Sequence, residues 1–276
     1  MLKTESYPLW ENEIPGPNGL TPMIHFYPTY QKATDACLVI FPGGAYVSHA
    51  GHEGEGYARL FTTFGFHCFV VDYRVSPAHF PAPLLDARRA MRFVRANAEK
   101  FGIDKEKIAV IGSSAGGHLV SLLSTYKEKL DGEGIDAIDE EDFLPFAQIL
   151  CYPVVSSHPD CAHFGSYKHL LGDAYSREAC HAFAPDLLCD ETTPQAFIWH
   201  TADDEVVKVE NAYRYAAALS RKGVPCELHV FPSAPHGSAV SPQPTARFAL
   251  DRAVPRVAVR HRLLPHAAPD VICRMK

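Results

Sequence analysis

Six short apolar runs recur along the chain: "ACLVIF" (36–41), "CFVVDY" (68–73), "KIAVIG" (107–112), "FAQILCY" (146–152), "QAFIWH" (195–200) and "CELHVF" (226–231). They are rich in β-branched and aromatic residues and do not alternate with polar positions, which predicts strands buried on both faces. Between them, "PLLDARRAMRFVRANAEKFG" (83–102) and "VENAYRYAAALSRKG" (209–223) carry helical spacing and end at Gly102 and Gly223, where a helix is expected to stop. Strand and helix in alternation predict an α/β fold, with a mainly parallel central sheet and helices on both faces. Ligands bind such sheets at the carboxyl ends of the strands, so the residues after each run deserve the closest reading. The stretch 153–194, rich in Pro, Ser, His and Asp with weak periodicity, reads as an insertion of loops and short helices near those ends, a candidate lid.

Composition adds limits. A chain of 276 residues with 47% hydrophobic positions can bury a large core, and one domain is expected over residues 1–240. The net charge of −6 argues against nucleic acid or an anionic membrane as the main partner. No stretch combines a basic start with an apolar leader, and none approaches the roughly 18 to 20 apolar residues of a membrane span. A soluble, cytoplasmic protein is therefore expected. Eight cysteines lie scattered without C-x-x-C pairs, several inside apolar runs, and predict buried free thiols rather than a disulfide framework. Residues 241–276 differ from the rest: they hold seven Lys and Arg against two Asp and Glu, whereas residues 1–240 hold 19 against 30. Prolines at 242, 244, 255, 265 and 269 leave room for only about three helical turns there. A frameshifted terminus and a genuine basic extension are both compatible with this composition.

Chemistry enters at "IGSSAGG" (111–117), where Gly112, Ser114 and Gly116 satisfy G-x-S-x-G. A strand that turns abruptly into a helix strains its central residue, and side chains two positions away on either side would clash. Ser114 is thus the candidate nucleophile; Ser113 has no glycine two residues before it. A serine hydroxyl needs a base, and the base needs an orienting carboxylate. "TADDEVV" follows the run at 195–200 and "PSAPHGSAV" follows the run at 226–231, which gives the chain order serine, acid, histidine, with His236 in a loop after a strand.

With "FPGGAY", "DYRVSP", "GSSAGGH", "WHTADDEVV" and "PHG" in this order, the sequence resembles the α/β-hydrolase superfamily over about residues 35 to 240, within it the small esterases of the acetylxylan-esterase and hormone-sensitive-lipase type. The resemblance implies a serine carboxylesterase that needs no metal or organic cofactor and acts on a small short-chain ester, such as acetylated xylo-oligosaccharides. In such relatives the acid stands four residues after a strand-end histidine, which implies Asp204, with Asp203 as competitor. They carry H-G-G-G where this chain has Pro42-Gly43-Gly44-Ala45, and the correspondence makes the N–H groups of Gly44, Ala45 and Ala115 the expected oxyanion hole. The same triad serves formamidases and peptidases, and the altered turn leaves a non-catalytic binding protein as a further alternative.

Other signals read as architecture. "SHAGHEGEG" (48–56) holds His49, His52 and Glu53, but the histidine spacing does not match the i, i+4 pair of helical zinc sites, and its glycines predict a loop at the rim of the cleft. Asp72 and Arg74 are expected to brace the loop under the site, His118 to pack in its helix, and Glu210 and Asn211 to open the helix after the acid loop.

Overall fold

The computed structural model describes residues 4–11, 14–16 and 20–239. The expectations for the tail at 241–276 lie outside the described residues. Eight strands form one sheet among these residues: β1 (Glu5–Pro8), β2 (Met23–Tyr27), β3 (Cys37–Phe41), β4 (His67–Asp72), β5 (Ile108–Ser113), β6 (Ala147–Cys151), β7 (Gln195–Thr201) and β8 (Cys226–Phe231). Their spatial order is β1-β2-β4-β3-β5-β6-β7-β8. β2 runs antiparallel to both β1 and β4, and the pairs from β4 through β8 are all parallel.

The helices are α1 (Gly51–Thr63), α2 (Ala82–Ala96), α3 (Ala98–Phe101), α4 (Ser114–Thr125), α5 (Phe164–Leu171), α6 (Pro185–Leu188) and α7 (Glu210–Arg221). Because side chains alternate along a strand, neighbouring residues of one apolar run feed two cores. Leu38, Ile40, Ala109 and Ile111 pack with Tyr57, Ala58 and Phe61 of α1. Cys37, Val39, Phe41 and Val110 pack on the other face with α2, α4 and α7. All twelve residues of α4 are buried, so the helix behind the serine motif has no free face. None of the described helices is long and apolar enough to cross a membrane. The seven described cysteines are free thiols, six of them buried.

Three expectations are corrected. The stretch 51–56 opens helix α1 instead of forming a loop: burying Tyr57, Ala58 and Phe61 against the sheet outweighs the low helix propensity of its glycines. The helical pattern over 83–102 breaks at Asn97, whose side-chain N–H donates to the carbonyl of Phe93, and α3 then ends at left-handed Gly102. Finally, β8 is half-buried at all six positions, because among the described residues it is an edge strand that pairs only with β7.

Candidate active site

β5 runs straight into α4, and Ser114 at the junction has φ of 52°, in the left-handed region that a side chain rarely adopts. The flanking glycines make the corner possible. A Cβ on Gly112 would lie 2.3 Å from the carbonyl oxygen of Gly116, and one on Gly116 would lie 2.1 Å from that of Phe41. Ser113 faces the other way, its hydroxyl 3.0 Å from that of buried Tyr57.

Ser114 meets both predicted partners. His236 Nε2 lies 2.9 Å from Ser114 Oγ, and its Nδ1 lies 2.7 Å from Asp204 Oδ2. A carboxylate on Nδ1 keeps the proton on that nitrogen and leaves Nε2 to accept from the serine. Asp204 sits in the turn after β7, buried, and its Oδ1 accepts the N–H groups of Val206 and Val207, each at 2.9 Å. His200 Nε2 lies 3.4 Å from Asp204 Oδ2 and donates to the carbonyl of Val207 at 2.7 Å. Burial pushes the Asp204 carboxyl up, but the hydrogen bonds from His200, His236 and Val207 prevail and hold it well below the usual carboxylate range. Asp203 has a different place: its Oδ1 accepts the N–H of Ala234 at 3.3 Å and tethers the histidine loop.

The turn at Gly43 to Tyr46 passes beside the serine. Gly44, Ala45 and Tyr46 all have positive φ, of 132°, 55° and 61°. Gly43 N–H is committed to Glu53 Oε2 at 2.8 Å, whereas neither Gly44 nor Ala45 donates to a backbone acceptor among the described residues. Ala115 lies in the first turn of α4, where an N–H has no partner within the helix. Three segments hold the strained turn: Ser76 N–H donates to the carbonyl of Tyr46 at 2.7 Å, His169 Nδ1 donates to that of Ala45 at 2.9 Å, and the Tyr46 hydroxyl meets His118 Nδ1 at 2.7 Å. His169 belongs to α5, so the stretch 153–194 does pack against this turn.

The remaining candidates separate. His49 stacks edge-on against Tyr73, while Asp72 pairs with His25 at 2.9 Å and Arg74 pairs with Asp86 at 2.7 Å, so two different ion pairs replace a shared brace. Asn211 is fully buried, accepting the N–H groups of Val155 and Ser156 and donating to the carbonyl of Cys161. It ties α7 to the inserted stretch, a role its place after the acid loop did not reveal. Glu53 and Tyr152 were missed as parts of the site. Only the polar pair in "HEG" hinted at the first, and Tyr152 stood inside an apolar run.

His118 Nε2 donates to the carbonyl of Phe183 at 2.8 Å, and the ring is inaccessible. Burial pushes its imidazole down to about 4, against the pull of that carbonyl. The unfolded chain takes up the proton near ~6.5. Between these values the unfolded state binds more protons, so stability is full above the upper one and falls as pH drops through the window. A loss of about 2 kcal/mol between pH 7 and pH 5 is expected in urea melts. His118→Asn should reduce that difference; an undiminished slope would remove His118 as its cause.

The profile of the BD-FAE family matches residues 24–219. The chain is 36% identical to the acetyl ester-xyloside bifunctional hydrolase from Caldicellulosiruptor lactoaceticus, an aligned pair that covers 94% of each chain with a TM-score of 0.80. It is 34% identical over 228 residues to endo-1,4-beta-xylanase B of Butyrivibrio fibrisolvens, covering 81% of this chain and 35% of that protein. Acetylxylan esterase of Xylanibacter ruminicola is 29% identical over 225 residues, covering 80% of this chain and 44% of that protein. The chain thus spans less than half the length of these two curated relatives.

Proposed function

The chain belongs to the BD-FAE family and has the α/β-hydrolase fold, and on that footing we propose that it is a serine carboxylesterase that removes short acyl groups, acetyl first among them, from acetylated xylo-oligosaccharides. The observation that carries the reading is the hydrogen-bonded series from Ser114 through His236 to Asp204. The named relatives, an acetylxylan esterase and an acetyl ester-xyloside bifunctional hydrolase, support the choice of substrate.

In the proposed cycle Ser114 Oγ attacks the ester carbonyl carbon while His236 Nε2 takes its proton. The carbonyl oxygen becomes negative and faces the N–H groups of Gly44, Ala45 and Ala115. Collapse of this intermediate expels the alcohol, which leaves with the proton from His236. Water, deprotonated by the same imidazole, then attacks the acyl-enzyme, releases the acid and restores the serine. Asp204 keeps the imidazole oriented and stabilises its protonated form. The chain, the ester and water supply every proton and electron pair. Seven unpaired cysteines among the described residues support a reducing compartment, and we assign the enzyme to the cytoplasm.

Acetate release from acetylated xylo-oligosaccharides, beside a series of 4-nitrophenyl esters, tests this reading. The acetyl ester is expected to exceed the octanoyl ester in kcat/KM by about tenfold or more. Faster turnover of the octanoyl ester would remove the acetyl assignment, and faster cleavage of an N-formyl aryl amide would make the enzyme a formamidase. A folded protein inert toward all of them would be a binding protein.

A further inference from the structure

The first turn of α1 reaches two loops that the proposed reaction needs. Glu53 is 3% exposed. Its Oε2 accepts Gly43 N–H at 2.8 Å and its Oε1 accepts the Tyr152 hydroxyl at 2.7 Å. The Tyr152 oxygen accepts the N–H of Ala239 at 3.2 Å, and its ring meets that of His236 edge-on at 5.0 Å. Beside it, His52 Nε2 donates to the carbonyl of Gly237 at 2.9 Å. One buried carboxylate therefore joins the turn before the oxyanion donors to the loop that carries the imidazole.

We infer that Glu53 is a positioning residue of this site, fixing together the two groups that must converge on one carbonyl; the inference rests on the esterase reading above. Space to drift is absent at this point. A Cβ on Gly43 would lie 2.5 Å from Glu53 Oε2 and 3.1 Å from Ser114 Cβ, so carboxylate, turn and nucleophile are in contact. By taking Gly43 N–H, Glu53 also sets which peptide groups of the turn stay available, those of Gly44 and Ala45. Packing alone does not need a carboxylate here. A carboxylate offers an acceptor oxygen to each donor, whereas an amide of the same size offers one acceptor oxygen and one donor group.

Glu53→Gln keeps the volume but leaves one acceptor oxygen for two donors, so the Gly43 and Tyr152 bonds cannot both persist as they stand. Tyr152→Phe removes the Tyr152 arm by itself. Each is expected to lower kcat for 4-nitrophenyl acetate by about tenfold or more with KM within about twofold. Each should also weaken an aryl trifluoromethyl ketone, which adds to Ser114 as a tetrahedral oxyanion, by a similar factor. The double variant should lose less than the product of the two single effects, because both cut one chain of bonds. Lower melting temperatures with kcat per folded site and ketone affinity unchanged would mean that Glu53 only supports the fold, and would overturn the inference. Should Glu53→Gln fail to fold, Tyr152→Phe decides: full kcat with undiminished ketone affinity overturns it. Activity that survives Ser114→Ala would overturn the esterase reading and this inference with it. Activity lost with Ser114→Ala but untouched by both other variants would overturn the inference alone.

Discussion

Ser114→Ala is expected to lower kcat for 4-nitrophenyl acetate by about 10⁵-fold, with His236→Ala close behind. The two substitutions remove the proposed nucleophile or its proposed base from one hydrogen-bonded unit, so combining them should cost little more than either alone. Asp204→Ala should cost about 10⁴-fold, because the imidazole keeps its place but loses the partner that fixes its tautomer. Ser113→Ala gives the contrast: its hydroxyl faces Tyr57 on the α1 side of the sheet, so kcat should stay within about threefold. Asp203→Ala loosens one tether on the histidine loop and is expected to cost far less than Asp204→Ala. Purified variants of matched melting temperature, assayed side by side, check the whole series. Equal losses for Ser113→Ala and Ser114→Ala would sink the assignment of the nucleophile.

Asp86→Ala is expected to destabilise the fold by about 3 to 5 kcal/mol. Arg74 and Asp86 are both fully buried, joined by Nη2 to Oδ1 at 2.7 Å, by Nε to both oxygens, and by the Arg74 N–H to Oδ2 at 2.8 Å. Trp10 Nε1 donates to the same carboxylate at 3.2 Å, and Arg74 Nη1 donates to the carbonyl of Pro15 at 2.7 Å. Burial pushes the Asp86 carboxyl up and Arg74 does not fully offset it, a sign that the pair stays costly to desolvate. Its weight shows when one partner goes and a guanidinium is left buried without its counter-ion. For a chain of this size that corresponds to a drop in melting temperature of about 10 °C. The loop after β4 also carries Ser76, whose N–H holds the carbonyl of Tyr46, so the loss should reach the turn at Gly43 to Tyr46 as well. Arg74→Met combined with Asp86→Leu is expected to recover much of the stability, since an apolar pair leaves no buried charge. A melting temperature for Asp86→Ala within about 2 °C of the parent would contradict this account.

Much of the architecture is legible because the six apolar runs are strands that share one long hydrophobic pattern, and each begins and ends within about two residues of its run. β1 and β2 escape notice because they are short edge-side strands, and "MIHFY" mixes polar and apolar positions. α1 escapes because four glycines between 43 and 54 speak for a loop, while the burial of Tyr57 and Phe61 that decides the matter is a tertiary fact. In the candidate site, the positions of Ser114 and His236 beside strand ends could be read from spacing, whereas the choice of Asp204 over Asp203 came from the family resemblance. The hydrogen bonds among the three could not be read, since they depend on how three loops from β5, β7 and β8 meet. Glu53 lies 61 residues from Ser114 along the chain, and nothing local tells a buried bridging carboxylate from a surface one. Asp86 is hidden for the same reason: the sequence sets Arg74 two residues from Asp72 at a strand end, whereas the carboxylate it pairs with lies in α2.

The site divides unequally between firm and loose ground. Ser114 heads a helix with every residue buried, whereas His236 lies in the loop beyond β8, a half-buried edge strand among the described residues, and that loop is moored by hydrogen bonds to Thr201, Asp203, His52 and Tyr152. Regions held by few buried contacts open first on warming, well below the temperature at which the whole chain melts. Heat is therefore expected to suppress the proposed esterase activity reversibly before it unfolds the chain, and the optimum temperature would measure the grip on one loop instead of the strength of the core.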